Sequence, residues 1–487
     1  VTVYSFSFFR QACHEHFKKR KGQKSMKKLF ILSACFILHS VCWTMNGSGY
    51  SDSSRSKGII IVSTAWNGAG IGKCVDYLSD KVRHVVRAIG GSAKGHRVVK
   101  RMGDGFNLAV LPSGILRNNT QCYLTAGNEI DFSRIFTEID LLIEKGKKID
   151  GRLWISSRAH VVMPYHRKLD VLMSKKYGAG ADVGSRKGAG AAAVDKRLRI
   201  GIRIADLLDP QRFKEVLKED LNYANELLTK VFDSEPFNFN KIEKLYTEYA
   251  RRVKKYVKND LEIYINKLLR QGQVVLFEGS QGTFLDVSMG SYPYVSPSGT
   301  LAAAICQGAG VGPSQICHTF GVVPCYTTRT GAGPLPAQIT DPKVINKLRE
   351  AHKSYCEEIP GLRYGWVDLV LVREAILLNG IDSLIISKLD ELDDLDEIKI
   401  CYDYIVDGKN YDYLPPNVND AKKIIPRYMV VPGWKTKIDK NIKFFSQLPQ
   451  EARNFVKRIE LLTAPVGYVS TGPDRENMIK VNDLLLL

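Results

Sequence analysis

The chain has 487 residues, 44% of them hydrophobic and 25% charged, with a formal charge of +19. This balance excludes a disordered or fibrous chain and leaves room for a large core. Ten cysteines without CxxC pairs and nine scattered histidines argue against a zinc site or a disulfide framework, and a reducing compartment fits best.

Eight lysines and arginines of residues 1–28 face a single acid, Glu15. The rest of the positive excess is spread along the chain, which suits a surface that attracts phosphates and small anions rather than nucleic acid. Met26-Lys27-Lys28 precedes the apolar stretch 29–43, which is shorter than the roughly 20 residues a bilayer span needs. The stretch resembles a secretory signal starting at Met26 and reads equally as a non-folding extension. A cytoplasmic location is expected, with export or membrane tethering through residues 26–43 as the alternative. Residues 46–58 are polar and rich in Gly and Ser, as a linker would be. Two parts are therefore expected: an extension at 1–57, and one folded domain at 58–487.

From Gly58 onward, short apolar runs alternate with amphipathic ones. GIIIVSTA, VVRAIGG, NLAVLPSG, QVVLFEGSQG, SLIISKLDEL and EIKICYDYIV read as strands. Residues 132–148, 212–232 and 246–272 carry apolar residues at helical spacing. Alternation of this kind predicts an α/β fold with a large, mainly parallel twisted sheet flanked by helices. Ligands in such sheets collect at the carboxyl ends of strands, so chemistry is sought there.

The first such end is STAWNGAGIGKCVDYL, residues 63–78, where Gly68, Gly70 and Gly72 precede Lys73. It has the form of a phosphate-cradling turn opening a helix. At ISKLDELDDL, Lys388 and Asp390 stand two apart and would project from one side of an extended segment. There an Asp can accept from N1–H and the exocyclic amine of guanine, while the Lys stem covers the ring. VSTGPDR places Ser470, Thr471 and Gly472 in a turn able to hold a second edge of a base. Gln281, Ser296 and Thr300 lie among glycines in residues 276–300, and His96 follows Gly95 in a second glycine-rich turn. A histidine there suits an acid or phosphate-donor role.

Taken together, these stretches resemble the adenylosuccinate synthetase family, P-loop-NTPase-related in fold, from about residue 58 to the end. The resemblance rests on W-x-G-x-G-x-GK at 66–73, GG-x-x-x-GH at 90–96, LPSGIL at 111–116, RAHVVMPYHRKLD at 158–170 and EGSQG at 278–282. It continues through YTTRTGAGP at 326–334, GW-x-D at 365–368, KLD at 388–390, PGW at 432–434 and STGPDR at 470–475. The family joins IMP to aspartate with GTP and magnesium, by phosphorylating the 6-oxygen of IMP and letting the aspartate amine displace the phosphate. The resemblance implies GTP contacts at Gly70, Gly72, Lys73, Gly95, Lys388, Leu389, Asp390, Ser470, Thr471 and Gly472. It implies IMP contacts at Ser185, Arg199, Gln281 and Ser296, with Arg199 reaching the partner's IMP in a homodimer. His96 becomes the catalytic group stabilising the transferred phosphate, and the Gly95 carbonyl a magnesium ligand.

The copy departs from the family pattern at defined points. The family loop W-G-D-E-G-K-G-K is here Trp66-Asn67-Gly68-Ala69-Gly70-Ile71-Gly72-Lys73, so the carboxylate that takes the N1 proton and ligates magnesium is Gly68. Ala93 replaces an Asn, Gly184-Ser185 replaces a Thr pair, and residues 357–366 keep only Arg363 of an arginine series that grips aspartate. Guanidinium forks are hard to replace at carboxylate sites. The expectation is a diverged copy that keeps purine-nucleotide binding, with weakened magnesium and aspartate handling, and that pairs with itself or with an active relative. An active ligase, and a ligase taking a guanine nucleotide in place of IMP because Gly68 makes room for a 2-amino group, are the alternatives.

Overall fold

The run Gly58-Ile59-Ile60-Ile61-Val62 forms the expected strand β1 (Lys57–Ser63), buried on both faces as a strand inside a parallel sheet must be. The structure is a computed structural model that describes residues 57–66, 68–90, 96–99, 105–177, 187–353, 359 and 361–484. Apart from Lys57, the expected extension at 1–57 lies outside the described residues.

Nine further strands join β1: β2 (His84–Arg87), β3 (Gln121–Leu124), β4 (Leu153–Ser156), β5 (Val257–Lys258), β6 (Val274–Glu278), β7 (Ile316–Pro324), β8 (Ser383–Ser387), β9 (Val466–Ser470) and β10 (Met478–Lys480). Their order across the ten-stranded sheet is β10-β9-β8-β7-β1-β6-β2-β3-β4-β5. Every neighbouring pair is parallel except β9 with β10. The chain runs outward from β1 to β5 on one side, returns to insert β6 beside β1, and then builds β7 to β10 on the other side. The direction of winding thus reverses around β1 and β6, the place where α/β sheets open a crevice for ligands.

Alternation along the strands splits the core in two. Ile60, Val62, Val86, Val275, Phe277 and Ile386 face one side, under helices such as Leu261–Arg270 and Ala302–Ala309. Ile59, Ile61, Val85, Leu276, Val322 and Ile385 face the other, under helix α1 (Ile71–Leu78) and helix Phe132–Glu144. A smaller sheet beside the main one includes Tyr326–Arg329, Arg363–Asp368 and Glu397–Val406.

Three sequence expectations need correction. Residues 246–272 are not one helix: helix Phe239–Val253 ends, Val257 pairs with Ile155 as edge strand β5, and a second helix covers Leu261–Arg270. The apolar spacing continues across the break because both helices face cores, so periodicity alone could not find it. NLAVLPSG is a strand only to Leu108; its later residues form a turn and the 3₁₀ segment Ser113–Leu116. The KLD segment is not extended, because β8 stops at Ser387 and Lys388 turns left-handed at φ 64°.

Candidate functional site

β1 ends against the close approach of β6's own exit loop. A Cβ on Gly282 would lie 2.2 Å from the carbonyl oxygens of both Ala65 and Trp66, so only glycine fits there. The loop after β1 then turns through Gly68 at φ 72° and Gly70 at φ 87° into α1, which has no side-chain cap and no acid in its first turn. Free amides at such an end favour an anion. A side chain at Gly68 would be crowded: its Cβ would stand 2.8 Å from the Thr328 hydroxyl.

The ends of β8 and β9, neighbours in the sheet, bring the KLD and STG segments together. Ser387 Oγ donates to the Ala69 carbonyl at 2.6 Å, tying this end to the glycine loop. Lys388 holds its ammonium 4.5 Å from the centre of the Tyr326 ring, an attraction between cation and ring face. Tyr326 in turn donates its hydroxyl to Glu391. Leu389 is buried in the 3₁₀ turn Leu389–Leu392, which also carries Asp390. From β9, Thr471 donates its N–H to the Asn477 carbonyl at 3.0 Å. Two buried polar atoms in these turns, Lys388 Nζ and Thr471 Oγ1, have no hydrogen-bond partner. Buried polar atoms are nearly always partnered, and two orphans in adjacent strand-end turns suit a ligand with donor and acceptor edges, such as a purine base.

Lys73, one of the expected GTP contacts, is buried and donates to Ser470 Oγ at 2.7 Å, the Gly472 carbonyl at 2.5 Å and the Asn477 carbonyl at 2.9 Å. Burial pulls its ammonium down to about 8, against the opposing pull of the Asp390 carboxylate. Three residues further along α1, the buried Asp76 accepts from Arg475 Nε at 2.7 Å and Nη2 at 2.5 Å. Burial raises the Asp76 carboxyl, and the Arg475 charge works against that rise.

On the other side of the loop, Gln281 follows β6 at φ 62°, half-buried, and Ser296 is buried with its Oγ accepting from the Ser298 N–H at 3.2 Å. Glu278, wholly buried at the end of β6, accepts from Ser113 N–H and Oγ, each at 2.7 Å, which fixes the LPSGIL turn on the EGSQG turn. Arg199 caps helix Ala189–Leu198 at φ 68° and is exposed. The opposite end of that helix approaches the Ser296 segment, since a Cβ on Gly190 would lie 3.8 Å from Pro297. Ten residues of helix separate the two ends by about 15 Å. Gly95, Ser185, Ala93 and the acids at 357 and 358 lie outside the described residues, as does the His96 side chain; the His96–Val99 backbone pairs with Gly105–Leu108.

Arg363 donates through Nη2 to the carbonyls of Gly331 and Gly333, at 2.8 and 2.9 Å, and through Nη1 to Gln338 Oε1 at 3.3 Å, so its guanidinium is held against neighbouring residues. Arg329 is buried with its guanidinium 4.8 Å from the Trp66 ring centre, and burial, followed by the Arg363 charge, pulls it down to about 9.

Sequence reasoning overlooked Tyr326 beneath Lys388, Asn477 behind the STG turn and Asp76 opposite Arg475. Asp76 had a readable signal: it falls three residues after Lys73, hence on the same helical face. For magnesium, the described loop residues carry no carboxylate. Among the described residues, the one His/Asp group with metal-ligand spacing is His166, Asp195 and Asp220, which lie on three other helices. The described residues therefore do not fit a magnesium ion held by the glycine loop.

The adenylosuccinate synthetase family model matches residues 60–479. Adenylosuccinate synthetase of Clostridium botulinum is 38% identical over 428 residues, covering 87% of this chain and 99% of the relative. That of Desulfitobacterium hafniense is 39% identical over 422 residues, covering 86% and 98%. The fully ligated adenylosuccinate synthetase of Plasmodium falciparum superposes with a TM-score of 0.80 at 28% identity, covering 87% of this chain and 99% of that one. A cyanophage S-2L succinoaminodeoxyadenylate synthetase bound to dGMP and dATP matches with a TM-score of 0.56 at 18% identity, a likeness of fold.

Proposed function

This chain belongs to the adenylosuccinate synthetase family, and from that premise we propose that it binds GTP and IMP at the two halves of the strand-end crevice but performs the family's ligation of IMP and L-aspartate at a strongly reduced rate. One observation carries the reading: Lys388, Asp390 and Ser470–Gly472 stand in neighbouring strand-end turns beside a glycine loop with no carboxylate at position 68, which supports base binding there without the loop's proton acceptor. In this division, GTP lies with its base between the ends of β8 and β9 and its phosphates towards the amides at the start of α1. IMP lies on the β6 side, near Gln281 and Ser296.

Phosphoryl transfer depends on positioning and on stabilising charge. The proton on N1 of IMP must also leave for the 6-oxygen to attack, and loss of a positioned base typically costs about 10²–10⁴ in rate. Magnesium, when bound, neutralises phosphate charge; with no carboxylate in the loop to hold it, weak magnesium dependence is part of the proposal. Arg363 is held by backbone carbonyls, which supports poor capture of free aspartate. The exposure of Arg199, at the end of its helix remote from Ser296, supports a role towards a neighbouring subunit in a homodimer or a pairing with an active relative.

Titration calorimetry with GTP, IMP and L-aspartate tests this directly: GTP and IMP should give saturable heats, and L-aspartate little. Adenylosuccinate formation at a rate typical of the family, with magnesium and all three substrates, would overturn it. Gly68 favours a second reading, in which a guanine nucleotide takes the IMP place because no side chain crowds its 2-amino group. Replacing IMP by dGMP in the same assay checks that reading, and product formed with dGMP alone would establish it over the first.

A further inference from the structure

A lysine closing a glycine loop is ordinarily assigned to phosphate, yet here its three ammonium hydrogens are already committed. They go to Ser470 Oγ, the Gly472 carbonyl and the Asn477 carbonyl. An ammonium has three donors and no acceptor, so none remains for a phosphate oxygen while these bonds stand. Asp76, on the same face of α1, anchors the Arg475 end of the same turn through two charge-assisted bonds. The turn itself is tight: a Cβ on Gly472 would lie 2.5 Å from Asn477 Oδ1.

We propose that Lys73 is a positioning residue for the base-reading turn 470–477, and that it sets which purine base is accepted instead of contributing to phosphate affinity. The proposal rests on the reading above that this turn receives guanine. α1 then acts as a rigid bar: its free first-turn amides receive phosphate, while its Lys73–Asp76 face holds the turn that receives the base. Burial works against the charge and lowers the ammonium to about 8, which still leaves it charged at neutral pH. Losing the three acceptors' common donor would let the turn relax away from Asp390 and Lys388.

The experiment compares guanosine, GTP and ATP binding to the full chain and to Lys73→Met. Guanosine has no phosphate, so it separates the two roles. The expected result is that guanosine and GTP weaken by a common factor of about 10–100, the worth of charged hydrogen bonds, and that the preference for GTP over ATP narrows. A fall in GTP affinity with guanosine unchanged would overturn the proposal. Amide hydrogen exchange without nucleotide supplies a second readout: residues 470–477 should exchange faster in Lys73→Met than in the parent, and equal rates would sink the inference. If the parent bound neither guanosine nor GTP, the nucleotide reading would fail, and the exchange comparison would still judge the tether. Should Lys73→Met not fold, Lys73→Gln, which keeps two donors, carries both comparisons with smaller effects.

Discussion

A carboxylate at position 68 would need a left-handed backbone and would place its Cβ 2.8 Å from the Thr328 hydroxyl. Glycine meets neither cost. Aspartate tolerates the left-handed region better than most residues, yet it still pays there. Gly68→Asp should therefore lower stability by about 1 kcal/mol, seen as a drop in thermal midpoint. Gly68→Asp in a Thr328→Ala background should recover part of that loss, because the hydroxyl met by the new Cβ is gone. A double-mutant cycle measures the coupling, and strict additivity would mean that Thr328 does not set the room at this position. The absence of the carboxylate was visible in the sequence as a letter. The steric reason that glycine is comfortable there was not, because Thr328 lies 260 positions away in the chain.

Among the elements, α1 is held to the C-terminal turn by the buried pair Asp76–Arg475, with side chains 0% and 9% exposed. Removing one partner of a buried pair leaves an uncompensated charge and costs about 3–5 kcal/mol. Arg117 remains 3.6 Å from Asp76 and softens the loss. Arg475→Met should accordingly destabilise by about 3 kcal/mol, at the low end of that range. Asp76→Leu combined with Arg475→Met should restore most of it, read as the urea midpoint. If the double variant were as unstable as the single one, the pair's geometry and not its unpaired charge would be the dominant contribution. The strands around this tie were readable, since Gly58–Val62, Val274–Glu278 and Ser383–Ser387 are apolar runs bounded by polar or glycine-rich turns. The break between Phe239–Val253 and Leu261–Arg270 was not, because β5 exists only through its pairing with Ile155. Likewise the left-handed turn at Lys388 is imposed by where β8 ends, and not by any local glycine or proline signal.

Across the molecule, the pH response of stability is a contest between buried acids and buried histidines. Burial raises Asp220 and Asp368 to about 6 and Glu374 to about 7, while it lowers His84 to about 4 and His160 to about 3. A raised acid holds its proton more tightly when folded, so its stabilising contribution is present below about pH 4 and is lost as pH rises through the folded value. A depressed histidine works in the opposite direction, adding stability as pH rises towards about 6.5. The two groups overlap between about pH 4 and pH 6.5, so the parent profile alone separates nothing, and Asp220 offers the cleanest isolation. It accepts from the Tyr165 hydroxyl on one helix and lies beside Asp195 on another. His166 accepts the Met163 N–H at Nδ1, which leaves the proton on Nε2, where it is donated to Asp195 at 2.7 Å. A metal at that nitrogen would have to displace its proton and break the bond to Asp195. Asp220→Asn keeps a neutral hydrogen-bonding side chain and removes the titration. Relative to the parent, it should gain about 2 kcal/mol between pH 4.5 and pH 7.5, measured as the difference in denaturation midpoints at the two pH values. A parent-to-variant difference that stays constant with pH would show that Asp220 is ionised throughout, and that its neighbours carry a compensating charge some other way.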